Sequence, residues 1–176
     1  GFINAHTSRQ ETAYYIRLLP EHLSFGLDML VDILTQSTLP DHEIVREKGV
    51  IIQEIGQAHD TPDDIVFDQF QSICYPQHPV GRPILGTTDS VNSFARKDLA
   101  TFMDRYYGAS NMVLSVAGQI DHDDLLRHVD AIEAKLLKPV DTPERHAPKW
   151  PDQDGKRQDI LIRELEQTHL VFGWPV

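Results

Sequence analysis

Cysteine is nearly absent from the chain, since Cys74 is the single thiol among 176 residues. One thiol cannot form an internal disulfide and cannot supply a cysteine-rich zinc site. Because Cys74 lies in an apolar helical pattern, we interpret it as a small buried hydrophobic residue rather than a nucleophile. Zinc held by histidine and carboxylate side chains stays possible.

Basic residues are also scarce, with 16 lysines and arginines against 27 aspartates and glutamates and a net charge of -11. This balance disfavours the phosphate backbone of a nucleic acid as a partner. No apolar run has the length of a membrane span, so we expect no membrane partner. The hydrophobic content of 40% is typical of a globular domain. We therefore expect a soluble protein.

Several common catalytic motifs are missing. Residues 81–86 carry a proline where a phosphate-binding loop needs backbone amide donors. No Gly-x-Ser-x-Gly element marks a nucleophilic serine. None of the nine histidines has a partner at the helical i, i+4 spacing of the common zinc motif. The sequence therefore shows no self-contained site for a nucleotide, a nucleophile or a metal.

Apolar spacing predicts an α+β fold, with a mostly antiparallel sheet and helices packed on one face. Two antiparallel strands joined by a short hairpin are expected over residues 2–7 and 11–19. Helix patterns then begin at or near Pro20, Asp41, Pro62, Arg96 and Asp121. Further strands are predicted over residues 111–117, 157–165 and 168–176.

The predicted helix over residues 43–55 carries two carboxylates among its apolar positions. Glu47 and Glu54 follow the same three-four spacing as Ile44, Ile51 and Ile55, which predicts that both point inward. A buried carboxylate needs a partner, a proton or a metal. The alternative is a slightly rolled helix with both carboxylates in salt bridges at the edge of the stripe. Spacing alone favours this alternative.

The order of several segments resembles the inverted-motif zinc peptidases, the family of insulinase, pitrilysin and mitochondrial processing peptidase. The resemblance is closest to the bacterial and processing-peptidase branch and covers nearly the whole chain. The segments that carry it are residues 4–8, 12–15, 46–54, 67–68, 75–87 and 107–118. The resemblance implies a peptidase fold, a zinc cofactor and peptide substrates. Its bacterial branch implies a bacterial cytoplasm or periplasm rather than an organelle.

The resemblance also assigns roles to individual residues. Glu54 matches the second-helix zinc ligand, and Glu47 matches a supporting carboxylate near the metal-binding histidines. Residues 4–7 (Asn4, Ala5, His6 and Thr7) match the edge strand that binds the substrate backbone by strand addition. Of these, Asn4 and Ala5 match the positions beside the scissile bond, whereas His6 stays open between a site residue and a surface residue.

One departure from the family pattern is decisive for activity. No H-x-x-E-H occurs in the chain, and the family places this motif upstream of the position where residue 1 lies. The chain is then either a fragment of an active-type domain or part of a non-catalytic paralogue that binds peptides or a partner through its sheet edge. A carboxylate pair held inside favours the fragment. In both cases we expect no peptide hydrolysis, and weak zinc binding or none, from this chain alone.

The resemblance also suggests a domain division and partners. Residues 1–137 correspond to part of the N-terminal metallopeptidase-type domain, residues 138–156 to a proline-containing linker, and residues 157–176 to the first strands of the following half. The family domain would therefore be incomplete. Expected partners are a peptide substrate, a second similar domain or subunit that closes a chamber, and a second copy pairing through the exposed strand.

Overall fold

The computed structural model describes residues 1–76, 78–136 and 157–174, so the predicted linker lies outside the described residues. In these ranges the chain is α+β, with one two-stranded antiparallel sheet and six α-helices. The elements are β1 (Phe2–Thr7), β2 (Thr12–Arg17), α1 (Leu23–Thr35), α2 (Asp41–Asp60), α3 (Pro62–Cys74), α4 (Thr88–Ser93), α5 (Arg96–Tyr106) and α6 (His122–Leu136). Short 3-10 helices cover Pro20–His22, Pro79–Gly81 and Ala109–Asn111. No helix among these elements combines the length and apolar character needed to cross a bilayer.

The predicted hairpin is confirmed. β1 and β2 pair antiparallel without a break, from Phe2 opposite Arg17 to Thr7 opposite Thr12. At the turn, the backbone N–H of Ser8 donates to the carbonyl oxygen of Glu11 at 2.8 Å. Alternating side chains and a short turn are local features, which explains why the sequence alone predicts the hairpin. The residue-by-residue register comes from the structure.

The described residues form two compact units, and their boundary falls inside α2 between Ile44 and Val45. The first unit contains Gly1–Ile44 and the described part of Phe94–Glu144. Its core is formed by Leu27 and Val31 on α1 and Ile132 on α6. Leu27 and Val31 are four residues apart, so both lie on the side of α1 that contacts α6.

A glycine lets β2 approach α1 in this first unit. A Cβ atom built on Gly26 would overlap the Leu18 side chain and would lie 3.5 Å from Ile16. Gly26 is buried, so this side of α1 is the face that packs on the hairpin. The hairpin is thereby anchored to the helix through one of its two faces.

The loop between α1 and α2 has a strained residue. Leu39 has a φ of +46°, in the left-handed region that few non-glycine residues adopt. The guanidinium of Arg96, the first residue of α5, donates to the carbonyl oxygens of Leu39 and Thr38, each at 3.0 Å. Two charge-assisted hydrogen bonds therefore hold the turn from which α2 begins.

The second unit contains Val45–Ser93 and the described part of Arg145–Val176. Arg163 donates to the carbonyl oxygen of His59 in the last turn of α2, and Arg157 donates to that of Ile73 in the last turn of α3. Helix C-termini carry unpaired carbonyl groups and partial negative charge, which arginine side chains satisfy. Arg157 and Arg163 therefore connect the segment of residues 157–174 to the C-terminal ends of α3 and α2.

Three predicted strands are wrong in the described part of the chain. Residues 112–117, 157–165 and 168–174 join no ladder, and residues 109–111 form a 3-10 helix instead. A short apolar run predicts an extended backbone, but a strand also needs a hydrogen-bonding neighbour. Without one, several apolar residues of these segments stay exposed, as Val113 at 94% and Ile162 at 90% illustrate.

Candidate functional site

The four residues expected to bind substrate lie together on β1. Asn4, Ala5, His6 and Thr7 are all exposed, and the described residues place a partner strand on only one side of β1. Its other edge has no partner strand in the part of the chain that the structure describes. The backbone N–H of Ala5 donates to Oδ1 of the adjacent Asn4 at 2.8 Å.

The two faces of the hairpin differ in character. Ile3, Ala5 and Thr7 share the face of β2 that contacts α1, whereas Phe2, Asn4 and His6 lie on the opposite face. On that opposite face, the exposed ring of Tyr15 lies 6.3 Å from Phe2 and 6.1 Å from His6, measured between ring centroids. His6 is thus an exposed member of an aromatic surface, and its role in binding stays a prediction.

A contact between two tyrosines connects the hairpin to the residue that follows α5. Tyr14 lies opposite Ala5 in the register, and its hydroxyl oxygen is 3.0 Å from that of Tyr107, just after α5. The two rings meet edge to face at 6.2 Å, and Tyr107 also contacts Phe102. This contact fixes the hairpin at the position of Ala5. Sequence reasoning missed it because a contact between residues 93 positions apart leaves no local pattern.

This tyrosine pair predicts a loss of stability at high pH. Burial, then the hydrogen bond and charge interaction with Tyr107, raise the pKa of Tyr14 above its ordinary value. Above about pH 10 the unfolded chain loses the Tyr14 proton while the folded chain keeps it. The stability contributed by the protonated hydroxyl is therefore complete below about pH 10 and declines as the pH rises toward the folded pKa.

Urea unfolding between about pH 9 and pH 11 measures this decline. The free energy of unfolding should fall more for the wild type than for Tyr14→Phe. The variant Tyr15→Phe leaves the Tyr14–Tyr107 contact in place and should behave as the wild type. Equal declines for Tyr14→Phe and wild type would contradict the assignment.

The inward orientation predicted for Glu47 and Glu54 is wrong, because both side chains are exposed. The buried direction of α2 is defined by Ile55, with Ile44, Ile51 and Ile52 half-buried beside it. Glu54 is rotated about 100° from Ile55 and Glu47 about 80°, so both lie at the flank of the apolar stripe. Neither carboxylate has an ion pair or hydrogen bond within the described residues. The alternative is therefore correct in placing both carboxylates at the edge of the apolar stripe and wrong in pairing them in salt bridges.

The two carboxylates share one side of α2, two turns apart. Seven residues correspond to a rise of about 10.5 Å along the helix axis. At that separation both carboxylates could reach one metal ion only if their side chains extended toward each other along the helix axis. The separation is compatible with the one ligand and one supporting carboxylate that the resemblance implies.

The described residues offer too few neighbouring ligands for a metal ion. They contain no group of three or more histidine, cysteine, aspartate or glutamate side chains close enough to hold a metal ion. A structural or catalytic zinc needs three or four protein ligands. The described part of the chain therefore does not by itself fit a zinc ion, and of the expected ligands it contains Glu54.

Two other side chains with reactive groups, His78 and Cys74, have structural roles in the second unit. Nδ1 of His78 accepts a hydrogen bond from the backbone N–H of Val80 at 3.2 Å and caps a 3-10 helix. Cys74 is buried, and burial raises the pKa of its thiol, with Arg157 acting in the opposite direction. A thiol in this environment is a poor nucleophile, as the sequence predicts.

Comparison with known proteins identifies the family. A family model described as insulinase, peptidase family M16, matches residues 1–88, and one described as the peptidase M16 inactive domain matches residues 93–176. The chain belongs to the insulinase family of peptidases. The family resemblance, which rested on the order of several segments along the chain, is thus confirmed.

Relatives within the insulinase family cover nearly all of the chain. A Rickettsia felis protein described as an uncharacterized zinc protease is 34% identical over 99% of this chain and 41% of its own length. The human mitochondrial-processing peptidase subunit beta is 38% identical over 98% of this chain and 36% of its own length. The crystal structure of an M16-like peptidase from Alicyclobacillus acidocaldarius superposes with a TM-score of 0.65 at 32% identity, covering 85% of this chain and 35% of that one. The chain spans about two-fifths of these relatives.

Proposed function

We propose that the chain is a portion of a zinc metalloendopeptidase that hydrolyses peptide bonds, and that it is not active by itself. Its contribution is one metal ligand, Glu54, one supporting carboxylate, Glu47, and one peptide-binding strand, β1. The reaction class is metal-assisted peptide hydrolysis. The zinc-protease and processing-peptidase descriptions of its relatives support this assignment.

The observation that carries the proposal is the state of Glu47 and Glu54. Two exposed carboxylates without partners among the described residues, on one side of α2, remain available to a neighbouring element. The oxygen atoms of an exposed carboxylate are accessible to a cation. Because both carboxylates are exposed, burial can no longer be used as an argument for an active-type fragment. The proposal therefore rests on the availability of the two carboxylates to a metal ion and on family membership.

Peptide binding is proposed for the open edge of β1. An extended peptide added beside β1 would gain main-chain hydrogen bonds, and its alternate side chains would face the two sides of the hairpin. The exposed ring of Tyr15 and its neighbours Phe2 and His6 would then contact every second side chain. A second, similar domain or subunit would close a chamber around the peptide.

A non-catalytic homologue is the second candidate function. It is favoured by the match of residues 93–176 to a model described as an inactive domain. In that case β1 would bind a peptide or a partner subunit without hydrolysis, and pairing of two copies through β1 would be the expected side reaction.

Hydrolysis of a quenched fluorescent peptide separates the two candidates. We expect activity from a longer protein that contains this chain and an upstream H-x-x-E-H helix, loss of that activity with a chelator, and recovery with added zinc. The 176-residue chain alone should be inactive under the same conditions. An inactive longer protein would support the non-catalytic alternative, and zinc-dependent hydrolysis by this chain alone would contradict both.

A further inference from the structure

The hydrogen-bonding direction of each β1 residue follows from the hairpin turn. The bond from Ser8 N–H to Glu11 makes this pair a hydrogen-bonded one. In an antiparallel ladder hydrogen-bonded and non-hydrogen-bonded pairs alternate. With the observed register, Phe2, Asn4 and His6 direct their backbone groups toward β2. The backbone groups of Ile3, Ala5 and Thr7 therefore face the open edge.

The central donor on this open edge is already engaged. The backbone N–H of Ala5 donates to Oδ1 of Asn4 at 2.8 Å, which independently agrees with an N–H that is not used in the ladder. The side chain that accepts it belongs to a residue whose own backbone faces β2. Asn4 therefore reaches around the strand edge to cover the donor of its neighbour.

Other forms of edge protection are missing from β1. Natural edge strands are blunted by charged side chains, proline or bulges. The six residues Phe2–Thr7 contain no lysine, arginine, acid or proline, and they pair with β2 without a bulge. The side-chain amide of Asn4 is the one device on β1 that occupies an outward backbone donor.

We propose that Asn4 is a removable cap on the peptide-binding edge, which occupies the N–H of Ala5 in the free chain and yields it to a carbonyl group of an incoming extended peptide. The inference rests on the proposed peptide-binding function of β1. Peptide binding replaces one neutral hydrogen bond of the Ala5 N–H by another. The cap therefore opposes pairing of β1 with a second copy of the chain, but it does not block a peptide that forms several hydrogen bonds at once. Asn4 is thus a positioning residue that acts through the backbone of Ala5.

Amide hydrogen exchange of the free 176-residue chain, followed by NMR, tests the cap without any ligand. In Asn4→Ala the exchange of the Ala5 amide should accelerate about two- to tenfold, the factor that corresponds to one neutral hydrogen bond. The amides of Asn4 and His6 should not change, since they bond to β2. Asn4→Asp keeps an acceptor oxygen and should preserve the slower exchange. Thr12→Val, at the first position of β2, is the control for loss of a polar group from the hairpin.

Binding of a capped hexapeptide of alternating threonine and valine, measured by titration, tests the competition. Asn4→Ala should bind this probe about two- to tenfold more tightly than the wild type, and Asn4→Asp should not. Sedimentation equilibrium should show more self-association of Asn4→Ala through the uncovered edge. Thr12→Val should match the wild type in both measurements.

Two results would overturn the cap. The first is unchanged exchange of the Ala5 amide in Asn4→Ala. The second is accelerated exchange with neither tighter peptide binding nor greater self-association. If exchange and self-association both increase but no variant binds the hexapeptide, the cap stands and the proposed peptide-binding function fails.

Discussion

Replacing Glu54 by glutamine should remove zinc from a longer protein that contains this chain and an upstream H-x-x-E-H helix. Such a protein should bind one zinc ion, and the variant should retain almost none after dialysis. Glutamine has the shape of glutamate but no charge, and zinc takes its oxygen ligands from carboxylates. Because Glu54 is exposed and lies at the flank of the buried stripe, the substitution should leave thermal unfolding of the zinc-free protein unchanged. Zinc content by atomic emission and circular dichroism measure the two effects.

Two other substitutions on α2 serve as comparisons for the zinc content of Glu54→Gln. Glu47→Gln should weaken zinc binding by about 10- to 100-fold, the range for residues that orient a metal ligand. Glu43→Gln, in the first turn of the helix and outside the proposed site, should retain the full zinc content. Stoichiometric zinc in Glu54→Gln would remove this residue from the site, whatever the result for Glu47.

Replacing Gly81 by alanine should strongly destabilise the second unit. A Cβ atom at this buried position would overlap the carbonyl oxygen of Tyr75, and it would lie 2.9 Å from the Tyr75 carbonyl carbon and 3.2 Å from the Gln71 oxygen. These neighbours are backbone atoms, which cannot rotate away as a side chain can. Overpacking of this kind costs about 1–3 kcal/mol or more. Urea unfolding followed by circular dichroism measures the loss.

Gly49→Ala is the matched control for Gly81→Ala. Gly49 lies inside α2 with no atom within 4 Å of a Cβ built on it. Alanine in a helix interior is more favourable than glycine by about 0.5–1 kcal/mol, so this variant should be more stable than the wild type. Equal stability of the two variants would show that the loop of residues 75–81 rearranges to accept a methyl group.

The elements that the sequence predicts correctly are those with local causes. The hairpin of β1 and β2 needs only alternation and a short turn, and the helices need only apolar spacing and their first residues. The predicted strand over residues 111–117 needs a neighbour that sequence spacing does not specify. The same is true of residues 157–165, whose apolar run at positions 160–162 is typical of a strand but which join no ladder among the described residues.

The candidate site is predictable to a different degree for each residue. Family resemblance identifies Glu47 and Glu54 by order and spacing. Helical periodicity assigned them the wrong direction, because it does not separate the flank of an apolar stripe from its centre, about 80–100° away around the helix. The support of Ala5 by Tyr14 and Tyr107 depends on tertiary packing. The contact between Asn4 and Ala5 depends on a side-chain rotamer, which spacing does not report.

The arginine caps on α2 and α3 have a consequence for synthesis on the ribosome. Arg163 is 104 residues beyond His59, and Arg157 is 84 residues beyond Ile73. At about 5–20 residues per second, the carbonyl groups at these helix ends emerge about 4–20 s before their arginine donors. During this interval water must hydrate both ends, and the second unit acquires its full set of hydrogen bonds only when the late segment arrives. Its order of assembly is therefore set by translation time as well as by the strength of its contacts.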